Sequence, residues 1–211
     1  MNVWHAIRPW LFPVWCIGCG EPEIGLCAAC TSAARPARLF LDPIGVRAAS
    51  DYGGAVREAI LALKRGERAY LDPLAGLLAP LVPFGAVLVP VTTTRRRAAE
   101  RGFDQARELA CRVAVLRSGS TVDLLRKRGA AQRGLGRAGR LVARGRFALR
   151  AGVAVPARVL LLDDVVTTGA TLRDAAGLLA AAGCCVAGAV VVAQTLPGRE
   201  TPRRGGRLVE A

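Results

Sequence analysis

Histidine, lysine and aromatic residues are scarce in this chain of 211 residues. His5 is the only histidine, so the main body cannot contain a Ser-His-Asp or Cys-His catalytic arrangement or a histidine-rich metal centre. Lys64 and Lys127 are the only lysines, so the 30 basic residues are almost all arginines. Aromatic residues make up 5% of the chain, which leaves few rings on which single-stranded nucleic acid bases could stack.

Long apolar runs are also missing. No uncharged apolar run approaches the ~20 residues that a membrane span requires. The apolar N-terminus has no basic residue before Arg8, and Trp15 before Cys16 is too bulky for a signal-peptidase or lipoprotein cleavage site. We therefore expect a soluble cytoplasmic protein without a membrane span.

Positive charge, in contrast, is abundant. The net charge of +14 favours phosphate-bearing partners, either a phosphorylated small molecule or a nucleic acid, and charge alone leaves that choice open. Changes in composition divide the chain into three predicted parts: a small Cys-rich unit at 1–35, a larger domain at 36–196 and a disordered tail at 197–211.

Strand and helix patterns alternate along the larger part. Short Val- and Leu-rich runs predict buried strands, and apolar residues at helical spacing predict helices. The alternation predicts an α/β domain with a largely parallel sheet flanked by helices, in which ligands bind at the carboxyl ends of the strands. An Arg/Gly-rich stretch at 126–146 is expected to be a mobile loop. The predicted strands cover 44–50, 86–91, 158–162 and 185–194, and the predicted helices cover 55–66, 72–81, 102–116 and 171–183.

Four cysteines near the N-terminus follow the pattern CxxC-x7-CxxC. Cys16, Cys19, Cys27 and Cys30 can supply four thiolates to a tetrahedral structural zinc. Two disulfides or a redox pair are the alternatives, and disulfides are disfavoured in a cytosolic protein. The other three cysteines fall on apolar segments and are expected to be buried core thiols: Cys111, Cys184 and Cys185.

In the stretch VLLLDDVVTTGATL at 159–172, a predicted apolar strand is followed directly by two aspartates. The loop that follows offers threonine hydroxyls, a glycine and the N–H groups of a helix start, which together suit a phosphate. Asp163 and Asp164 would repel that phosphate at close range, so we expect them to accept hydrogen bonds from hydroxyls or to lie near a divalent cation. A sugar phosphate satisfies both conditions. A helix N-cap alone would explain Thr171 but not the aspartate pair.

This stretch closely resembles the phosphoribosyl-pyrophosphate motif of type I phosphoribosyltransferases. The resemblance implies that Asp163 and Asp164 bind the ribose hydroxyls as the catalytic residues. It implies a 5′-phosphate site formed by Thr167, Thr168, Gly169, Ala170 and Thr171.

The stretch PVTTTRRRAAERGFDQA at 90–106 is implied by the same resemblance to hold the pyrophosphate. A solvated basic helix end is the alternative. Two residues depart from the family pattern, Thr92 where proline is usual and Asp104 where asparagine is usual, and an aspartate brings negative charge to a pyrophosphate site unless its side chain points elsewhere. The implied binding residues are Thr92, Thr93, Arg95 (or Arg96 or Arg97), Arg101 and Gln105.

The four-Cys unit, the PV and RGF-x-QA segments and the Gln/Arg-rich loop together are similar to the ComF family of competence-related proteins. The resemblance implies a type I phosphoribosyltransferase fold behind a zinc-ribbon-like unit, with magnesium accompanying phosphoribosyl pyrophosphate and transfer to an amine or nucleobase. The alternative is a non-catalytic basic module that binds single-stranded DNA or a competence-machinery protein. The sequence leaves the oligomeric state open, with a dimer as one expected form.

Overall fold

The computed structural model describes residues 15–22, 25–127 and 145–195. Within these ranges the chain forms six α-helices and eight β-strands. In chain order they are α1 (Ala28–Ser32), β1 (Ala37–Leu41), β2 (Ile44–Asp51), α2 (Gly54–Lys64), α3 (Leu71–Leu78), β3 (Val87–Pro90), α4 (Arg95–Arg101), α5 (Gln105–Leu116), β4 (Ser120–Thr121), β5 (Leu125–Lys127), β6 (Phe147–Leu149), β7 (Arg158–Val166), α6 (Ala170–Ala181) and β8 (Cys185–Gln194).

Six strands form one mixed sheet in the order β1-β2-β8-β7-β3-β4. Every pairing in it is parallel except that of the edge strand β1 with β2. The strands β5 and β6 form a separate antiparallel ribbon. The predicted α/β class with a largely parallel sheet is confirmed.

Both faces of the sheet are covered, as expected for parallel strands. Along β7, Leu160 and Leu162 belong to a core shared with α2, α3 and α5. Val159 and Leu161 point the other way, into a second core shared with α6 and the β5–β6 ribbon. The period of two along the strand therefore accounts for both cores.

The predicted boundaries hold best where one pattern continues without a break. The predicted strand 185–194 coincides with β8. The predicted helix 102–116 is wrong at its start, because Gly102 ends α4 at a φ of +77° and Asp104 then caps a new helix, α5. Neither α4 nor the edge strand β1 was predicted.

Two of the three cysteines expected in the core are on the surface. Cys184 is buried, whereas Cys111 and Cys185 are exposed. Cys111 lies on the outer face of α5, and Cys185 is the first residue of β8, ahead of the part of the strand that is buried, so apolar neighbours along the sequence do not ensure burial.

Several predictions fall on residues outside the described ranges. They concern the tail at 197–211 and most of the loop at 126–146. In the part of the chain that the structure describes, no helix is both long and apolar enough to cross a membrane.

Candidate functional site

A cleft of about 210 Å3 lies at the carboxyl ends of β3 and β7. Its lining combines three acidic residues with lysine, arginine and neutral polar side chains. The charged and polar residues that line it are Lys64, Thr92, Thr93, Arg97, Arg101, Asp104, Gln105, Lys127, Asp163, Asp164 and Thr171.

The aspartate pair lies inside β7, and this corrects the predicted strand end at Leu162. On the β3 side the ladder does end there, because the Val91 N–H donates to the Leu162 carbonyl as its last bond. On the β8 side pairing continues to Val166. Asp163 and Asp164 therefore stay in an ordered strand while one flank opens into the cleft.

Each aspartate is oriented by a backbone hydrogen bond. Asp163 Oδ1 accepts from the Asp164 N–H, and Asp164 Oδ1 accepts from the Val165 N–H, both at 2.8 Å. Asp164 Oδ2 also lies 3.3 Å from Lys64 Nζ. Burial, and then repulsion by Asp164, raises the pKa of Asp163 well above its ordinary value, while the charge of Lys127 opposes this shift. The contact of Lys64 with Asp164 and the charge of Lys127 thus offset part of the like-charge conflict that the sequence shows.

The start of α6 is left open for an anion. Gly169 is its N-cap residue with a φ of +73° and has no side chain with which to cap the helix, and no acidic residue lies in the first turn. A Cβ on Gly169 would overlap the side chain of Leu41. Unpaired N–H groups at a helix start carry partial positive charge, so this segment can hold a phosphate.

The threonines of this loop surround the helix start. Thr167 and Thr168 are exposed, and Thr168 Oγ1 accepts weakly from the Ala170 N–H at 3.4 Å. Thr171 lines the cleft, and its Oγ1 accepts from Arg146 at 3.1 Å. The structure therefore brings the loop and the aspartate pair together at one edge of the sheet.

The loop after β3 is occupied by the protein's own side chains. Thr92 is 4% exposed, and its hydroxyl donates to the Leu125 carbonyl at 3.0 Å. Asp104 Oδ2 accepts from the Thr93 N–H at 3.0 Å, and Thr94 Oγ1 accepts from the Arg97 N–H as the cap of α4. The hydroxyl of Thr92 is therefore already bonded within the protein.

Asp104 also caps α5, since its Oδ1 accepts from the Arg107 N–H at 3.1 Å. Burial raises the pKa of Asp104, although the Arg107 and Thr93 N–H groups lower it in part. The departure noted in the sequence thus has a structural role, because this carboxylate joins the loop to the helix.

Among the basic and amide residues of this loop, Arg97, Arg101 and Gln105 line the cleft. Arg96 is 88% exposed and pairs with Glu100 instead. Gln105 Oε1 accepts from Arg101 at 2.9 Å, whereas its buried Nε2 has no partner among the described residues. A buried amide donor without a partner costs free energy, so this group suits an acceptor oxygen of a ligand. The side chain of Arg95 lies outside the described part of the structure.

Three basic residues of the site escaped the sequence motifs. Lys64 ends α2, Lys127 ends β5 and Arg146 precedes β6. No motif marks them, because they come from segments distant along the chain. The scarcity of lysine could have pointed to the first two.

The four N-terminal cysteines form one compact cluster. Their sulfur atoms all lie within 4.8 Å of one another, and Cys19 Sγ is 3.5 Å from Cys27 Sγ. A tetrahedral zinc with ~2.3 Å bonds to sulfur requires sulfur–sulfur separations of about 3.8 Å, so the cluster fits that ion.

The protonation of the cluster also suits a cation. Burial opposes ionisation of Cys16, but the N–H groups of Cys27, Cys19 and Gly18 outweigh it and lower its pKa to about 6. Burial and the neighbouring thiols raise the pKa of Cys30 to about 12. The cluster can hold four thiolates only if a metal compensates their charge.

The cysteine unit and the larger domain share one core. Cys16, Leu26 and Cys27 are buried in the same cluster as residues of α2 and α3. The cluster therefore fixes this segment onto the domain that carries the cleft.

Comparison with known proteins identifies the class of this domain. The family model of the phosphoribosyl transferase domain matches residues 96–206, just over half of the chain, and the chain belongs to this family. It is also 36% identical over 98 residues to the competence protein ComFC of Streptococcus pneumoniae, a match that covers 46% of this chain and 42% of the relative. The resemblance to ComF proteins with a type I phosphoribosyltransferase domain is thereby confirmed, although the match covers less than half of the length of this relative.

Among solved structures, the adenine phosphoribosyltransferase of Leishmania donovani matches 74% of this chain and 77% of its own, at 15% identity and a TM-score of 0.32. A similarity of this size supports no inference about the site.

Proposed function

We propose that the protein binds phosphoribosyl pyrophosphate together with Mg²⁺ and transfers the phosphoribosyl group to an amine or a nucleobase. One observation carries the proposal. The aspartate pair of β7 and the uncapped start of α6 flank the short loop 167–169 at a single edge of the sheet. A ribose 5-phosphate presents a diol and a phosphate a few ångströms apart, and this pair of neighbouring sites accepts both groups.

The proposed roles follow from the contacts of each side chain. Asp163 and Asp164 accept hydrogen bonds from the ribose hydroxyls, and residues 167–171 hold the 5′-phosphate. On the opposite side the N–H groups of the Thr92–Thr94 loop face the pyrophosphate together with Arg97, Arg101 and the Gln105 Nε2, which has no partner among the described residues. Arg95 belongs to this group by its place at the start of α4.

The proposed chemistry depends on charge more than on proton transfer. The bond between the anomeric carbon and pyrophosphate breaks, the acceptor nitrogen forms the new bond to that carbon, and the proton it loses passes to the departing pyrophosphate or to water. The positive charge that develops at the carbon is stabilised by nearby carboxylates and by the departing anion. Bound Mg²⁺ would neutralise charge on the pyrophosphate and would be held mainly by substrate oxygens and water, with Asp163 positioned to accept from a coordinated water. No histidine is needed for these steps.

Isothermal titration calorimetry with phosphoribosyl pyrophosphate and Mg²⁺ tests this proposal. We expect the wild type to bind and Asp163→Asn/Asp164→Asn to lose at least ~100-fold in affinity, since two charged hydrogen-bond acceptors are removed. The matched control is Glu67→Gln/Asp72→Asn, which removes two carboxylates outside the cleft. Absence of binding by the wild type, or equal binding by the aspartate variant, would sink the site.

We further propose that the cysteine cluster binds one structural zinc ion. Metal analysis of the purified protein is expected to find one zinc per chain, and Cys19→Ser to abolish it. Cys111→Ser, which removes an exposed thiol outside the cluster, should retain the ion. A protein that contains no metal after purification with added zinc, or a Cys19→Ser variant that still holds one equivalent, would contradict the proposal.

A second candidate function is binding of single-stranded DNA in competence, in the cytoplasm. The similarity to a competence protein and the net charge of +14 favour it. Titration of a labelled single strand across salt concentrations tests it, since phosphate contacts make affinity fall steeply with salt. Weak binding that salt does not change would count against this function.

A further inference from the structure

Both lysines of the chain lie in the same cleft. The other 28 of the 30 basic residues are arginines, yet Lys64 and Lys127 line the one cleft that contains the aspartate pair. They come from different elements, the ends of α2 and β5. A chain that uses arginine almost everywhere else has lysine where a compact ammonium group faces the carboxylates.

Lys64 is held firmly at the end of α2. Ile60 and Leu63 of the same helix are fully buried, and they fix the helix against the sheet. The next turn, at Gly66, lies against the carbonyl of Arg101 at the end of α4. The Lys64 side chain is 31% exposed and extends from this anchored turn to Asp164, whose side chain is 19% exposed.

The two oxygens of Asp164 have different partners. Oδ1 accepts from the Val165 N–H at 2.8 Å, and Oδ2 lies 3.3 Å from Lys64 Nζ. Two contacts on different oxygens prevent the carboxylate from rotating. Since an ionised carboxylate has about four acceptor positions, each oxygen can still accept one ribose hydroxyl.

We propose that Lys64 is a positioning residue for the ribose site: its ammonium group locks the orientation of Asp164 so that both carboxylate oxygens can receive the vicinal hydroxyls of the sugar. This inference rests on the proposed function. Lys64 acts through Asp164, and it does not bind the pyrophosphate.

The geometry also explains why lysine is required here. An arginine fork binds a carboxylate through two parallel N–H···O bonds. At position 64 such a fork would engage both oxygens of Asp164 and compete with the Val165 N–H and the sugar hydroxyls. Lys64→Arg would therefore keep the positive charge but would not preserve ribose binding.

Calorimetry with ribose 5-phosphate and with magnesium pyrophosphate as separate probes tests the proposal. Lys64→Met and Lys64→Arg should each weaken ribose 5-phosphate roughly 10- to 100-fold, as expected when a charged partner is lost or misplaced, and should change pyrophosphate affinity by less than about threefold. Arg65→Met is the matched control, because Arg65 is the adjacent cation but pairs with Glu67 in solvent, and it should leave both affinities unchanged. Thermal unfolding of each variant verifies that it is folded. If Lys64→Met does not fold, Lys64→Arg, which keeps the positive charge, still tests the proposal.

A double-mutant cycle identifies the route of the effect. In the Asp164→Asn background, Lys64→Met should cost little further ribose 5-phosphate affinity, because the group it positions has already changed. Provided that the wild type binds ribose 5-phosphate, three results would overturn the positioning role. They are full additivity of the two losses in ribose 5-phosphate affinity, an equal loss of pyrophosphate affinity, and unchanged ribose 5-phosphate affinity in Lys64→Arg. If the wild type binds neither ribose 5-phosphate nor phosphoribosyl pyrophosphate, the proposed function fails, and this inference fails with it.

Discussion

The two sides of the cleft differ in what already occupies their helix starts. On the β7 side α6 begins at Gly169 with no side-chain cap. On the β3 side Thr94 caps α4 and Asp104 caps α5, and Asp104 also takes the Thr93 N–H. An anion on the first side would compete with the weak contact of Thr168 Oγ1 to the Ala170 N–H, whereas on the second side it would compete with a carboxylate.

Both sides were recognised from sequence motifs, yet they differ in how many of their backbone N–H groups are already bonded within the protein. On the β7 side the backbone donors at the helix start have, among the described residues, no side-chain partner closer than Thr168 Oγ1 at 3.4 Å, an arrangement that suits a phosphate. The β3 side relies on arginine side chains and on the amide of Gln105, which can adjust to a ligand. We expect changes on the β7 side to have large effects and changes on the β3 side to have small ones.

The largest effect is expected from Gly169→Ala. The change should lower affinity for ribose 5-phosphate about 100-fold, since a left-handed conformation costs a residue with a Cβ ~1–2 kcal/mol and the new methyl group would overlap Leu41. Calorimetry measures the affinity. Gly177→Ala is the control, because a Cβ there meets no neighbour within 4 Å and alanine favours the middle of α6; unchanged binding by Gly169→Ala would show that the loop is not the phosphate site.

A smaller effect is expected from Asp163→Asn, which should raise the stability of the folded protein. The folded pKa of Asp163 is raised above its ordinary value of 3.8, so the stability that its protonated form contributes is present below that value and is lost as the pH rises through the folded pKa. Asparagine avoids this loss. We expect the variant to melt several degrees above the wild type at pH 7, since ~1 kcal/mol shifts Tm by about 2–4 °C in a chain of this size.

Melting curves between pH 4 and pH 8 show whether the higher Tm results from removing the ionisable group of Asp163 or from an effect that does not depend on pH. The difference in Tm should shrink toward pH 4, where the wild-type carboxyl is protonated. A constant difference across the range would mean that charge on Asp163 does not destabilise the folded state.

The smallest effect is expected on the β3 side, from Asp104→Asn. Asparagine can keep the cap of α5 through its single oxygen, and the Thr93 N–H is then released toward the cleft while a negative charge disappears. Affinity for magnesium pyrophosphate should rise roughly three- to tenfold, the size of a modest electrostatic change. Asp72→Asn, an exposed site whose side chain is 82% accessible, controls for net charge, and a fall in pyrophosphate affinity would show that Asp104 organises the loop for the ligand.

The contiguous parts of the site were predictable from the sequence. The order strand, aspartates, threonine-glycine loop and helix is local, and the structure keeps it as β7 and α6. The four cysteines also lie within 15 residues, and their sulfurs come together as the spacing suggests. The roles of Asp163, Asp164 and residues 167–171 remain predictions that ligand binding must test.

The remaining parts were not predictable, because they depend on long-range packing. The strand end after Leu162 was predicted too early, since β7 loses its β3 neighbour there but keeps β8 to Val166. The burial of Thr92 depends on the Leu125 carbonyl, 33 residues away. Neither hydropathy nor spacing contains this information.

By itself, the sequence determined the class of fold, the cysteine cluster and the acidic loop, because alternating apolar patterns and short motifs act through neighbours along the chain. Only the tertiary structure decided that Lys64 faces Asp164, that Asp104 closes the start of α5 and that Gly169, which has no side chain, is the N-cap residue of α6. The physical reason is that charges and hydrogen bonds act over a few ångströms in space. Packing of α2 and α5 on one face of the sheet, and of α6 on the other, sets those distances.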